Sequence, residues 1–140
     1  MQYARVLRSF VAAGTVRGVD ETVYDRVGGE KFFRDLVDGF YDGVETDETL
    51  RPMYPEDLEP GKEHLALFLA QYWGGPPVYT ETRGHPRLRM RHSPYVITKR
   101  ARDAWLRHML AALEKMEISD EDRAEMVAYL DLAAHQLRNR

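Results

Sequence analysis

The sequence predicts an all-α chain on three observations. Apolar residues recur at three- and four-residue spacing along successive stretches, and no stretch alternates apolar and polar residues as a half-buried strand does. The strongest chain breakers, Gly28-Gly29 and Gly74-Gly75-Pro76-Pro77, fall between the periodic stretches. At 140 residues the chain is most simply one domain, long enough to close a core around a sizeable guest.

Residues 1–19 carry Tyr3, Val6, Leu7, Phe10 and Val11 at helical spacing with Arg5 and Arg8 between them, then pass into Gly14-Thr15-Val16-Arg17-Gly18. They read as an N-terminal extension, a loosely docked amphipathic arm, preceding a domain over 20–140. A short helix follows, from a cap at Asp20 or Thr22 to Val27, closed by the two glycines. Phe32, Phe33, Leu36, Val37, Phe40, Tyr41 and Val44 then define a helix with a broad buried face. Tyr41 lies on that face, so its hydroxyl needs an interior acceptor.

Asp47 to Arg51 reads as one turn stopped by Pro52, and Met53-Tyr54-Pro55-Glu56-Asp57 as an irregular corner. Another helix opens at Pro60 and buries Leu65, Phe68, Leu69, Tyr72 and Trp73. Val78 to Pro86 shows little periodicity and is expected to be a long loop. Thr98 to Met116 places Ala101, Trp105, His108, Met109 and Ala112 on one stripe. Ser119-Asp120-Glu121-Asp122 resembles a capping box that opens a last helix through Met126, Leu130, Ala134 and Leu137.

Composition excludes several function classes. No cysteine is present, so disulfides, thiolate metal sites, iron–sulfur clusters and a Cys-x-x-Cys-His haem linkage are ruled out. A net charge of −3 gathers neither nucleic acid nor an anionic membrane. No apolar run approaches the roughly 20 residues of a membrane helix, and the expected location is cytoplasmic. No Glu-x-x-His pair surrounds any of the five histidines, which removes a carboxylate-bridged di-iron bundle.

Four groups call for a common explanation: Tyr41, Tyr54, Trp105 and His92. Tyrosine and tryptophan are hydrogen-bond donors on bulky apolar bodies, costly to bury unless something inside accepts. His92 closes the run from Arg83 to Arg91 just before the stripe that carries Trp105, a fitting place for an imidazole to ligate haem iron. His85, His108 and His135 read as loop or boundary histidines.

The segments Tyr24-Asp25-Arg26-Val27-Gly28-Gly29, Phe40-Tyr41, Tyr54-Pro55-Glu56-Asp57, Gln71-Tyr72-Trp73-Gly74-Gly75-Pro76, the Arg83 to His92 run and Asp103-Ala104-Trp105-Leu106 resemble a truncated haemoglobin of the second group, ordered as in its actinobacterial members. The resemblance spans about residues 23–138. It implies a two-over-two helical sandwich around noncovalent haem b, with His92 as proximal iron ligand and Tyr41, Tyr54 and Trp105 on the opposite side. Leu65, Phe68 and Leu69 are the implied distal walls, with Tyr72, Arg89, Met90, Arg91, Tyr95 and Ile97 as further haem contacts. Gly61 takes the position where other globins often carry a distal histidine or glutamine, and His64 then faces solvent.

The arginines at 83, 87, 89 and 91 suit haem propionates or surface pairing better than nucleic acid, since no interleaved aromatics accompany them. Two preorganised donors beside a bound gas lead to an expectation of tight, slowly released dioxygen and other diatomic ligands. A redox enzyme, a weak peroxidase or nitric oxide dioxygenase fed by a separate reductase, is the alternative, and no residue is assigned a catalytic role. A cofactor-free helical interaction module is a third reading. A homodimer follows by analogy alone.

Overall fold

The computed structural model describes residues 21–92 and 95–140, apart from the side chains of Leu88 and Arg89. The expected N-terminal extension over 1–19 lies outside the described residues. Helix α1 is Val23–Val27, capped at Thr22, whose Oγ1 accepts the Asp25 N–H at 3.2 Å while the Asp25 carboxylate accepts the Thr22 N–H at 3.3 Å. It stops at Gly28, whose φ of +117° is open to glycine at no steric cost.

Helix α2, Glu30–Thr46, buries Phe32, Phe33, Leu36, Val37, Phe40, Tyr41 and Val44, the face its sequence period predicts. A 3-10 turn, Arg51–Met53, leads to α3, Glu59–Tyr72, with proline in its first turn as expected. Pro52 does not stop the preceding turn. It sits inside the 3-10 helix, whose early positions leave N–H groups without helical acceptors and so tolerate proline.

The expected loop after Pro77 contains a helix, α4, Val78–Arg83. Six residues are too few to display a period. Tertiary contacts hold the helix instead: Gln71 Nε2 donates to Thr80 Oγ1 at 2.7 Å, Gln71 Oε1 accepts the Thr80 N–H at 3.0 Å, and Tyr79 is buried edge-on against Phe68. Helix α5 is Leu88–His92. Helix α6, Lys99–Glu114, is capped by Thr98, and α7, Asp120–Leu137, by Ser119.

Two helix pairs form the body, α2 with α3 and α6 with α7, joined where α2 crosses α6. This is the two-over-two arrangement. The crossing is close because Gly39 lacks a side chain: a Cβ there would lie 3.2 Å from the Ala112 methyl. Phe33, Leu36, Phe40, Met109, Leu113, Met126 and Leu130 are fully enclosed between the pairs. At the other end of α6, Asn139 ties the C-terminus to the approach to α6: its side chain accepts the Ile97 N–H at 2.8 Å and donates to the Tyr95 carbonyl at 2.9 Å. That tie sets one wall of the cleft described next.

Candidate functional site

Two adjoining cavities, of about 370 and 220 Å³, open between α2, α3, α5, α6 and α7. Both are lined by Tyr41, Tyr54, Gly61, His64, Arg91, His92 and Trp105, so they form two lobes of one cleft. Taken together they fall in the ordinary range for small-molecule and cofactor sites, about 300–1,000 Å³.

Each key side chain arrives from a different element. Tyr41 comes from the buried face of α2, Tyr54 from the corner after the 3-10 turn and Trp105 from α6. His92 comes from the last position of α5, half-buried at the cleft. The Tyr41 and Tyr54 rings meet edge to face at 5.7 Å, and Trp105 meets Phe40 edge-on at 5.5 Å. The structure thus brings together the four groups singled out in the sequence.

Among the described residues, neither tyrosine hydroxyl nor the Trp105 N–H finds a hydrogen-bond partner, and none of these atoms is sealed from accessible space. The cleft is where they face. Burial pushes the Tyr41 hydroxyl up to about 12, and burial together with the neighbouring Tyr41 pushes that of Tyr54 up as well. Both phenols therefore remain protonated through the neutral range, as donors without an acceptor among the described residues.

The remaining walls are apolar and cationic. Leu65, Phe68 and Leu69 line the smaller lobe, Tyr95 and Ile97 the larger, and Arg91 both. Arg102, only 8% exposed, joins Arg91 on the larger lobe. Among the described residues no aspartate or glutamate lines either lobe. A cleft with cations and no acid suits a ligand carrying carboxylates. Among the described residues no three histidine, aspartate or glutamate side chains gather around a bare ion. A metal at His92 would have to bring its other ligands with it, as a macrocycle does.

Two expected contacts lie elsewhere. Tyr72 is off both lobes, stacked on Tyr129 with ring centroids 3.9 Å apart, because its side of α3 packs toward α7. Met90 is 58% exposed and lines neither lobe. The Arg89 side chain lies outside the described ones. His64, read from the sequence as solvent-facing, instead lines both lobes, and its Nε2 accepts from Arg83 Nη1 at 3.2 Å. A guanidinium donates and has no acceptor, so that imidazole nitrogen is unprotonated in the pair. Burial first, then Arg83, hold His64 below the ordinary imidazole value.

Sequence reasoning missed Arg102, although a signal existed: it sits three residues before Trp105, on the same side of α6. His108 and His135 are paired, with Asp47 and Arg102 respectively, in line with their reading as boundary histidines.

The sequence model of the family described as "Bacterial-like globin" matches residues 22–139. The group 2 truncated haemoglobin YjbI of Bacillus subtilis is 41% identical over 111 residues, 79% of this chain and 84% of that protein. Among solved structures, the haemoglobin of the thermophilic phototrophic bacterium Chloroflexus aurantiacus superposes with a TM-score of 0.84 at 55% identity, covering 86% of this chain and 99% of that one. The truncated oxygen-avid haemoglobin from Bacillus subtilis superposes with a TM-score of 0.81 at 39% identity, covering 85% of this chain and 100% of the other.

Proposed function

The chain belongs to the bacterial-like globins and, within them, to the group II truncated haemoglobins, and on that premise we propose that it holds haem b noncovalently through His92 and binds dioxygen tightly, releasing it slowly. Haem-based oxygen binding is the general function of this family. The observation that carries the finer reading is the cleft itself, which sets one imidazole together with three donors that have no acceptor among the described residues.

When bound, haem supplies an iron centre that takes a diatomic gas and shifts electron density onto it. The protein's part is to place and hold. His92 would offer its imidazole to the iron from the end of α5, where its carbonyl accepts the Tyr95 N–H at 3.0 Å. Leu65, Phe68, Leu69 and Ile97 give apolar walls that keep water away, and Arg91 and Arg102 offer guanidiniums to the two propionates. Trp105, Tyr54 and Tyr41 point protons at a ligand with partial negative charge. Each bond to such a ligand contributes about 1.5–3 kcal/mol in a water-poor site. The truncated haemoglobin of Bacillus subtilis is oxygen-avid, which is consistent with this reading.

A second reading, peroxide or nitric oxide chemistry fed by a separate reductase, is favoured by one observation: His64 lines the cleft with an unprotonated nitrogen. A group of that kind can take a proton from peroxide. Turnover of hydrogen peroxide with a phenolic reductant that drops about tenfold or more in His64→Leu supports it; unchanged turnover rejects it.

The principal test is reconstitution with haem followed by resonance Raman of the ferrous form. An iron–imidazole stretch that disappears in His92→Gly and returns on adding free imidazole is the expected result. An unaltered fifth ligand in that variant overturns the assignment.

A further inference from the structure

His108 and Asp47 take no part in the cleft, yet they join two of the elements that build it. His108 lies three residues after Trp105 on α6, and its Nε2 is 2.7 Å from Asp47 Oδ2, just past the end of α2. Arg107 Nη2 reaches the same oxygen at 3.1 Å. The other carboxylate oxygen, Oδ1, accepts the Thr49 N–H at 2.8 Å and the Leu50 N–H at 2.9 Å. The Asp47 carbonyl accepts the Arg51 N–H at 2.8 Å. One residue thus fixes the start of the 3-10 turn that ends at Met53 and leads into Tyr54, both on the cleft wall.

The far side of that corner is also held. The Arg51 guanidinium donates to the carbonyls of Tyr54, Pro55 and Glu56, at 3.3, 3.0 and 3.0 Å. The imidazole of His108 has no latitude of its own either. It lies over Gly43, where a Cβ would come within van der Waals overlap of Nδ1 and 2.7 Å from Cγ. A glycine inside α2 and a carboxylate at its end together leave His108 one place to be.

Resting on the haem reading above, we infer that His108 and Asp47 are positioning residues which lock the corner carrying Tyr54 to the helix carrying Trp105, and so set the spacing of the two donors across the cleft. Neither touches the ligand. Trp105 is placed by its own helix, whereas Tyr54 sits on an irregular corner whose backbone the hydrogen bonds of Asp47 and Arg51 hold in register. Loosening the lock lets the phenol drift while the indole stays.

The test uses the haem-loaded full chain, with the dioxygen release rate and the C–O stretching frequency of the carbon monoxide complex as readouts. Tyr54→Phe first establishes the donor, with release about tenfold faster. His108→Leu is expected to speed release about three- to tenfold where Tyr54 is present and to change it less than about 1.5-fold in Tyr54→Phe, the coupling a shared pathway demands. The C–O stretch moves toward its Tyr54→Phe value in the single variant. Equal effects in both backgrounds overturn the inference and leave the haem reading intact. No effect of Tyr54→Phe, or no haem uptake, fails the haem reading itself.

Asp47→Asn supplies a second arm from the other partner. Its carbonyl oxygen can still accept from Thr49 and Leu50, while its amide replaces the oxygen that faces His108 and Arg107. Release from Asp47→Asn is expected to quicken where Tyr54 is present and to change less than about 1.5-fold in Tyr54→Phe, with the C–O stretch again moving toward its Tyr54→Phe value. Equal effects in both backgrounds count against the lock.

Discussion

Gly61 on α3 stands against the hydroxyl of Tyr41 on α2: a Cβ at position 61 would lie 2.7 Å from that oxygen and 3.5 Å from the ring carbon bearing it. The phenol reaches the cleft through the gap a glycine leaves. Alanine is the better helix former by about 1 kcal/mol, so Gly61→Ala should leave α3 folded while turning the Tyr41 hydroxyl aside. Dioxygen release should quicken severalfold in Gly61→Ala. In a Tyr41→Phe background, where the obstructing oxygen is gone, the same substitution should change the rate little; stopped-flow measurements on the four proteins of the cycle check it.

His64 makes stability depend on pH. Its folded value lies below the ordinary 6.5 because burial and Arg83 oppose its charge, so the unfolded chain takes up the proton first. The contribution is whole above the ordinary value and is lost as pH falls through it toward the folded one. His64→Gln keeps an oxygen to accept from Arg83 and cannot titrate. Urea unfolding between about pH 7.5 and pH 5 should therefore show a shallower loss of stability in His64→Gln than in wild type; parallel curves would contradict this account.

The contrast between His64 and Tyr41 shows what the sequence holds and what it does not. Tyr41 shares a strict helical period with Phe33, Val37 and Phe40, so its inward direction is local information. His64 sits beside the apolar stripe of α3, and whether that flank meets water or the cleft depends on where α4 and Arg83 fall, a tertiary fact. The same limit hid α4, which Gln71 and Phe68 hold from outside, and misplaced Tyr72, whose partner Tyr129 comes from α7. Tyr54 lies in no periodic element. Its chemistry, a donor on a bulky apolar body, marked it as a candidate, and its place opposite His92 came from the resemblance of its neighbours to a known family.

Asp47 should be one source of acid sensitivity. The hydrogen bond from His108, then that from the Leu50 N–H, hold its carboxyl down at about 2, below the ordinary 3.8. A depressed carboxyl contributes stability that is present above the ordinary value and lost as pH falls toward the folded one. With the side chain 8% exposed, solvent screening takes little from the effect, on the order of 1–2 kcal/mol. The stability gap between wild type and Asp47→Asn, from denaturant titrations, should be widest near about pH 5 and close toward about pH 2. A gap that does not change with pH would show that this carboxyl keeps its ordinary value in the folded chain.

Arg91 and Arg102 supply the last prediction. Both line the larger lobe, and among the described residues neither lobe has an acid. Arg91 Nη2 donates to the Arg83 carbonyl at 2.8 Å, and Arg102 donates through Nε to Asp103 at 2.7 Å and through Nη1 to His135 at 3.0 Å. Each guanidinium has further N–H groups to give, since arginine carries five. If they grip propionates, the loss should be selective for the charge of the cofactor. Haem transfer to an acceptor globin should speed up about tenfold in Arg91→Leu, whereas the dimethyl ester of haem, which has no carboxylates, should leave wild type and variant at similar rates. Equal acceleration for both cofactors would mean that Arg91 acts by packing over Tyr79, whose ring centroid lies 5.8 Å from its guanidinium carbon, and not by its charge.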